Sequence, residues 1–143
     1  MMSQKIERPL VIIAGCGDVG ESLAYALSDD KRDIVMIDND PCAFSNIMEK
    51  YHITTVVADA SDIDVLDDYG IKRAESFFAV TNNENLNIMI AEIASEIYHV
   101  PKVFIRTYKA DKKNWLLQNF HIVSISETAM MTDEFQREYA RNG

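Results

Sequence analysis

The sequence predicts an α/β protein of the Rossmann type, a doubly wound parallel sheet in strand order 3-2-1-4-5-6 with a C-terminal crossover helix. Three observations carry this. Short apolar runs alternate with helical stretches along the chain, the pattern of a parallel sheet covered on both faces. The first run, Leu10-Val11-Ile12-Ile13-Ala14, leads straight into Gly15-Cys16-Gly17-Asp18-Val19-Gly20. The second ends on Asp38, roughly 20 residues beyond that loop.

Strands are predicted at 10–14, 33–37, 53–57, 76–80, 102–106 and 121–125. Each is β-branched or aromatic in flavour and bounded by polar or turn residues. Helices fall between them at 18–29, 41–50, 62–68, 84–98 and 110–119. Pro41 suits the first turn of the second helix, where its missing N–H costs nothing. Ser61 or Asp62 caps the third, and Gly70 stops it in the manner of a C′ glycine. In the fourth, Leu86, Ile90, Ile93, Ala94 and Ile97 recur at helical steps and form one buried stripe. His99-Val100-Pro101 ends it, since the residue before a proline avoids the helical region. Trp115, with Leu116 and Leu117, is expected to anchor the fifth helix in the core. Met130, Met131, Phe135 and Tyr139 lie at helical spacing among charged residues, which predicts a last amphipathic helix over 127–142. It either packs back on its own domain or crosses to a partner subunit, and methionine suits such adaptable contacts. The chain thus divides into a tail at 1–8, one domain at 9–126 and a helical element at 127–143.

With 143 residues the chain is long enough to bury an ordinary core, and its 48% hydrophobic and 26% charged content is that of a soluble globular protein. No apolar run approaches a membrane span, and the start lacks the apolar core of a signal peptide, so the expected compartment is the cytoplasm. A formal net charge of −9 repels phosphate backbones and argues against nucleic acid as a partner. Cys16 and Cys42 are too few for a disulfide framework or zinc site and read as reduced thiols. His52, His99 and His121 are scattered, without a companion at metal-ligand spacing.

The order strand, glycine turn, helix, strand, acid is the one a polypeptide uses to hold an adenosine dinucleotide. Gly15 permits the turn, Gly17 lets the backbone approach a pyrophosphate, and Gly20 lets the helix lie close to the strand. The helix N-terminus offers N–H groups to phosphate oxygens, and Asp38 takes ribose hydroxyls. The alternative is a glycine turn that serves strand and helix packing alone.

Further features exceed what a generic dinucleotide domain requires: Val56-Val57-Ala58-Asp59-Ala60-Ser61-Asp62, then Val65-Leu66-Asp67-Asp68-Tyr69-Gly70-Ile71, then Phe77-Phe78-Ala79-Val80-Thr81 with Asn82-Asn83-Glu84-Asn85-Leu86, and Val103-Phe104-Ile105-Arg106. From about Pro9 to Glu127 this succession resembles the N-terminal domain of regulators of potassium conductance and uptake, the RCK/KTN (TrkA-N) family. The resemblance implies a cytoplasmic regulatory module and no enzyme. It implies binding of NAD(H) or an adenine nucleotide, assembly into homodimers and higher rings, and control of a membrane potassium transporter or channel. The site it implies comprises the loop residues Gly15, Cys16, Gly17, Asp18, Val19 and Gly20, then Asp38 with Asn39, Asp59 and Ala60 beside the adenine, Thr81, and, more weakly, Asn85 and Arg106. Read without the family, Asn85 caps a helix and Arg106 pairs with a surface carboxylate.

Two positions depart from the family pattern. Ala58 stands where glycine is usual, a small change. Asp18 stands where uptake regulators carry an arginine, and its charge would repel a polyphosphate, which favours NAD(H), AMP or ADP over ATP. Asp38 disfavours NADP through its 2′-phosphate. Two other classes remain open: a small NAD-dependent oxidoreductase, for which Tyr108 and Lys112 supply a Tyr-x-x-x-Lys spacing, and a free-standing nucleotide or redox sensor. Family members usually carry a further ligand domain or a second copy of this module, so the chain is expected to be a fragment or a short subunit.

Overall fold

A computed structural model describes residues 8–29, 31–47 and 52–142. Six strands, β1 (Leu10–Ala14), β2 (Asp33–Asp38), β3 (Ile53–Val57), β4 (Ala74–Ala79), β5 (Lys102–Thr107) and β6 (Ile122–Ser126), pair in the order β3-β2-β1-β4-β5-β6. Every pairing is parallel. The order reverses direction between β1 and β4, which opens a crevice at the carboxyl ends of the central strands. Among the described residues five α-helices connect and flank them: α1 (Asp18–Leu27), α2 (Ile63–Asp68), α3 (Glu84–Glu92), α4 (Lys113–Phe120) and α5 (Glu127–Asn142).

Alternate strand residues supply two separate cores. Ile12, Ile37, Phe77 and Ile105 pack against Leu66, Ile90, Ala94 and Leu116 on one face. Val11, Ile13, Met36 and Val80 pack against Ala24 and Leu23 of α1 on the other. β1 is buried on both faces, which explains its unbroken apolar run. The second face is only partly covered: Phe78 and Phe104, register neighbours, stack at 4.7 Å with half-buried rings, and Ile125 beyond them is exposed.

The turn into α1 is set by two close approaches. Gly15 has φ +106°, and a Cβ there would lie 2.9 Å from the Thr81 backbone nitrogen. At Gly20 a Cβ would lie 1.9 Å from the carbonyl oxygen of Gly15, well inside contact. Glycine is the only residue that lets α1 start this close to β1.

Several expectations change. The helix predicted at 41–50 is a short 3₁₀ turn, Pro41–Phe44, in which Asp40 accepts from the Cys42 amide; residues 48–50 lie outside the described residues. The side-chain turn of Asp40 outweighs a weak helical pattern. β4 begins at Ala74 and α4 at Lys113, after a turn from Ala110. Asp62, rather than Ser61, caps α2, and Gly70 follows its end in a left-handed conformation. The fourth helix is α-helical only to Glu92 and continues as a π-turn over Ile93–Ile97, where the Tyr98 amide reaches back to the Ile93 carbonyl. That wider turn rotates Ile97 out to 56% exposure, so the buried stripe runs Asn87, Ile90, Ala91, Ala94. Trp115 does not anchor α4. Leu116 fills that place at 0% exposure, while Trp115 packs edge-on against Phe120 at the surface.

The one polar member of that stripe, Asn87, is satisfied at every group. Its Oδ1 accepts from the amide and hydroxyl of Thr81 at 3.0 and 2.6 Å, and its Nδ2 donates to the carbonyls of Thr81 and Arg106, both at 3.0 Å. It ties the end of β5 to the residues that follow β4.

Two stability predictions follow from these contacts. Gly20→Ala forces a backbone shift and should cost about 1–3 kcal/mol in urea unfolding. Asn87→Ala leaves buried backbone groups unpaired and should cost about 1–3 kcal/mol in the same assay. Exposed Asn85→Ala should stay within about 0.5 kcal/mol.

Candidate functional site

A cleft of about 500 Å³ lies over the carboxyl ends of the central strands, where the strand order reverses. This is the size and place of a small-molecule site in a doubly wound sheet. At one end it is lined by Asp38, Asn39, Asp40 and the β3 exit, Ala58-Asp59-Ala60. Gly15, Cys16 and Gly17 line its middle, and Thr81, Asn82, Asn83, Leu86 and Arg106 line the far end.

Asp38 builds part of this wall. Its Oδ2 accepts from the Cys16 amide at 2.8 Å and its Oδ1 from the Asp40 amide at 2.9 Å, so one carboxylate holds the glycine loop against the end of β2. Each oxygen keeps a lone pair for a ligand hydroxyl. The Cys16 thiol donates to the Ala43 carbonyl at 3.3 Å. Burial pushes this thiol up to about 11, with the carboxylates of Asp38 and Glu21 adding to the effect, so it stays protonated near neutral pH. Asp59 is exposed and held below the usual carboxylate range by the hydroxyl and amide of Ser61.

Gly17 differs from the other two loop glycines. Its φ is −81°, open to any residue, and a Cβ there would meet no protein atom within 4 Å. It is the N-cap of α1 and supplies no side-chain cap to the first helical N–H groups. At the far end, the Arg106 Nε donates to the carboxylate of Glu127, the first residue of α5.

Of the residues expected at the site, Gly15, Cys16, Gly17, Asp38, Asn39, Asp59, Ala60, Thr81 and Arg106 share the cleft. Asp18, Val19, Gly20 and Asn85 do not line it. Asp18 projects from the first turn of α1 into solvent, Val19 faces the open side of the sheet, Gly20 is buried in the contact with Gly15, and Asn85 is an exposed helical residue. The α3 cap is Asn83, which accepts from the Leu86 amide at 3.0 Å. Asn87 was missed as a positioning residue. Its signal was present, as a polar residue at helical spacing from Ile90 and Ala94.

A second and larger hollow, about 900 Å³, lies over the uncovered face of β4–β6, between α1 and α5. Val19, Leu23, Phe78, Phe104, Ile125 and Met130 dominate it. It is an open, mainly apolar groove whose charged residues, Arg106, Glu127, Asp133, Glu134 and Arg137, are mostly those of α5, whereas the smaller cleft sits at the reversal of strand order, so the smaller cleft is the better ligand site. Among the described residues no group of His, Cys, Asp or Glu could hold a metal ion, and no helix is long and apolar enough to cross a membrane. Tyr108 is 63% exposed, and neither it nor Lys112 lines the cleft.

Comparison with known proteins places these features in a family. The TrkA-N domain matches residues 11–126. The chain is 30% identical over 133 residues to the Trk system potassium uptake protein TrkA of Streptomyces coelicolor, covering 93% of this chain and 59% of that protein. It therefore spans less than two thirds of that relative, and 30% of the TrkA of Haemophilus influenzae, to which it is 29% identical over 93% of its own length. In fold it is similar to the Kef C-terminal domain of Shewanella denitrificans in its AMP-bound form, with a TM-score of 0.77 and 23% identity over 92% of this chain and 80% of that one. It is also similar to GsuK bound to ADP, with a TM-score of 0.77 and 18% identity over 94% of this chain and 35% of that one. With the family match covering nearly all of the sheet, the chain belongs to the TrkA-N domain family.

Proposed function

We propose that the cleft binds NAD(H) or an adenine nucleotide, and that the module is a cytoplasmic regulatory subunit, or part of one, that passes its ligand state to a membrane potassium transporter or channel. The observation that carries the ligand reading is Gly17. Gly15 and Gly20 are accounted for by the fold, but nothing in the protein requires glycine at 17, where a side chain would project into empty space at the mouth of the cleft. A phosphate drawn to the uncapped N-terminus of α1 does require it. The names of the TrkA relatives and the AMP- and ADP-bound neighbours support the same reading.

A binding role fits the cleft better than acid-base catalysis. Its described lining has no histidine, tyrosine or lysine, and its thiol is held protonated. Arg106 is the one cationic side chain in the described lining, against the three carboxylates of Asp38, Asp40 and Asp59. With that balance the full charge of a triphosphate is disfavoured, and the proposal places AMP, ADP and NAD(H) ahead of ATP. Asp38 at the ribose end disfavours the extra phosphate of NADP.

The proposal includes a homodimer in which α5 supplies part of the contact. α5 buries no residue, and Met130, Met131, Phe135 and Tyr139 are 60–80% exposed along it, beside the open apolar groove. A patch of that kind marks an interaction surface. Nucleotide then biases the dimer through different affinity for two arrangements.

Calorimetry with AMP, ADP, ATP, NAD and NADH should show saturable binding of at least one. Gly17→Ala should weaken it by about tenfold, ~1.4 kcal/mol, while the poorer N-cap costs no more than about 1 kcal/mol of unfolding stability, so that the protein stays folded in the assay. No binding to wild type at millimolar ligand, or an indifferent Gly17→Ala, would remove the ligand reading. Light scattering should find a dimer that the double variant Phe135→Asp, Tyr139→Asp converts to monomer. A dimer unchanged by both charges would place the interface elsewhere.

A further inference from the structure

The far end of the cleft carries a hydroxyl whose proton is already committed. Thr81 follows β4, is half-buried, and abuts the glycine turn, where a Cβ on Gly15 would lie 2.9 Å from its backbone nitrogen. The Asn87 side chain sets the direction of the hydrogen bonds around it. Its Nδ2 gives both hydrogens to carbonyls, those of Thr81 and Arg106, so Oδ1 is the atom that faces the Thr81 amide and hydroxyl. Oδ1 has no proton to give. At 2.6 Å the hydroxyl must therefore donate to it, and the other acceptor within reach, the Asn83 carbonyl at 3.2 Å, goes without that proton.

Thr81 Oγ1 keeps its two lone pairs. The Asn83 amide donates to one at 3.2 Å. The other has no donor among the described residues, and Thr81 lines the cleft. The hydroxyl thus meets a ligand as an acceptor alone. A sugar hydroxyl can donate to it. A phosphate, ionised near neutral pH, presents bare oxygens and would set acceptor against acceptor. Arg106 at the same end does not make this choice, because phosphate and hydroxyl oxygens can both accept from a guanidinium.

We infer that Thr81, with its proton held by Asn87, makes the cleft select a nucleotide that carries a sugar hydroxyl beyond its phosphates over one that ends in a phosphate. This rests on the nucleotide reading of the cleft and deepens it. Strand order gives the register. With a ribose at Asp38 over β2 and phosphates at the glycine loop over β1, the next group along falls over β4, one strand spacing of about 4.8 Å further on. AMP and ADP end in phosphate. A dinucleotide continues into a second ribose, whose hydroxyls meet the Thr81 oxygen as those of the first meet Asp38. Both ends of the cleft then ask a ligand for a hydrogen-bond donor. Asn87 is a positioning residue, which touches Thr81 and not the ligand.

Calorimetry on the full chain tests this with ADP-ribose and with ADP methylated on its terminal phosphate. The two match in charge, and only the first has hydroxyls beyond the phosphates. Wild type should bind ADP-ribose about 3- to 10-fold tighter, the scale of one net hydrogen bond. Thr81→Ala and Thr81→Val both remove the acceptor and should bring that ratio close to unity, while Thr81→Ser, which restores the hydroxyl, should retain it. Asn87→Ala frees the hydroxyl to turn and should lower the ratio as well. A merely structural loss would weaken both ligands equally and leave the ratio where it was. No preference for ADP-ribose in wild type, or a preference that survives in both Thr81→Ala and Thr81→Val, would overturn the selection by Thr81 alone. A preference that survives in Asn87→Ala would overturn the part given to Asn87. Wild type that binds neither compound at millimolar concentration would overturn the inference together with the nucleotide reading.

Discussion

The backbone contact between Gly20 and the carbonyl of Gly15 is the constraint on which the site depends. It brings the first turn of α1 so close to β1 that no side chain fits between them. The consequences are positional. The N-terminus of α1 opens at the middle of the cleft, Gly17 is left facing unfilled space, and the Cys16 amide is turned toward the Asp38 carboxylate. A helix packed further out would lose all three and would loosen the packing of Leu23 and Ala24 on the sheet.

The cleft has two walls with different construction. On the β2 side one carboxylate, Asp38, both holds the loop and remains able to accept from a ligand hydroxyl, so structure and recognition share the same atoms. On the β4 and β5 side the two functions are separate. Asn87, buried and fully paired, holds the backbone of Thr81 and Arg106, while the Arg106 side chain lines the cleft and pairs with Glu127.

Much of this was legible from local chemistry. The glycine turn, the run of β1, Asp38 at the end of β2 and the strand order follow from patterns a few residues long, and each lies where expected. What escaped depended on partners distant in sequence or on helix geometry. A stripe projected at 3.6 residues per turn kept Ile97 inside, and the π-turn put it outside. Trp115 is the larger hydrophobe of α4, yet Leu116 is the residue whose direction meets the sheet. Asp18 looked like a phosphate neighbour by its place in the loop, and one helical step turned it to solvent. That Arg106 pairs with a carboxylate was read from the sequence; that the partner is Glu127, across the connection from β5 through β6, depends on the sheet register.

The central claim is that a nucleotide occupies the cleft at the reversal of strand order, between the glycine loop and Thr81. The most direct test is to follow backbone amide resonances of the full chain while AMP or NAD is added. The account predicts saturable shifts concentrated at Gly15 to Gly20, Asp38 to Asp40, Asp59 to Ser61 and Thr81 to Asn83. Saturable shifts confined instead to Phe78, Phe104, Ile125 and α5 would place the ligand in the apolar groove and contradict it.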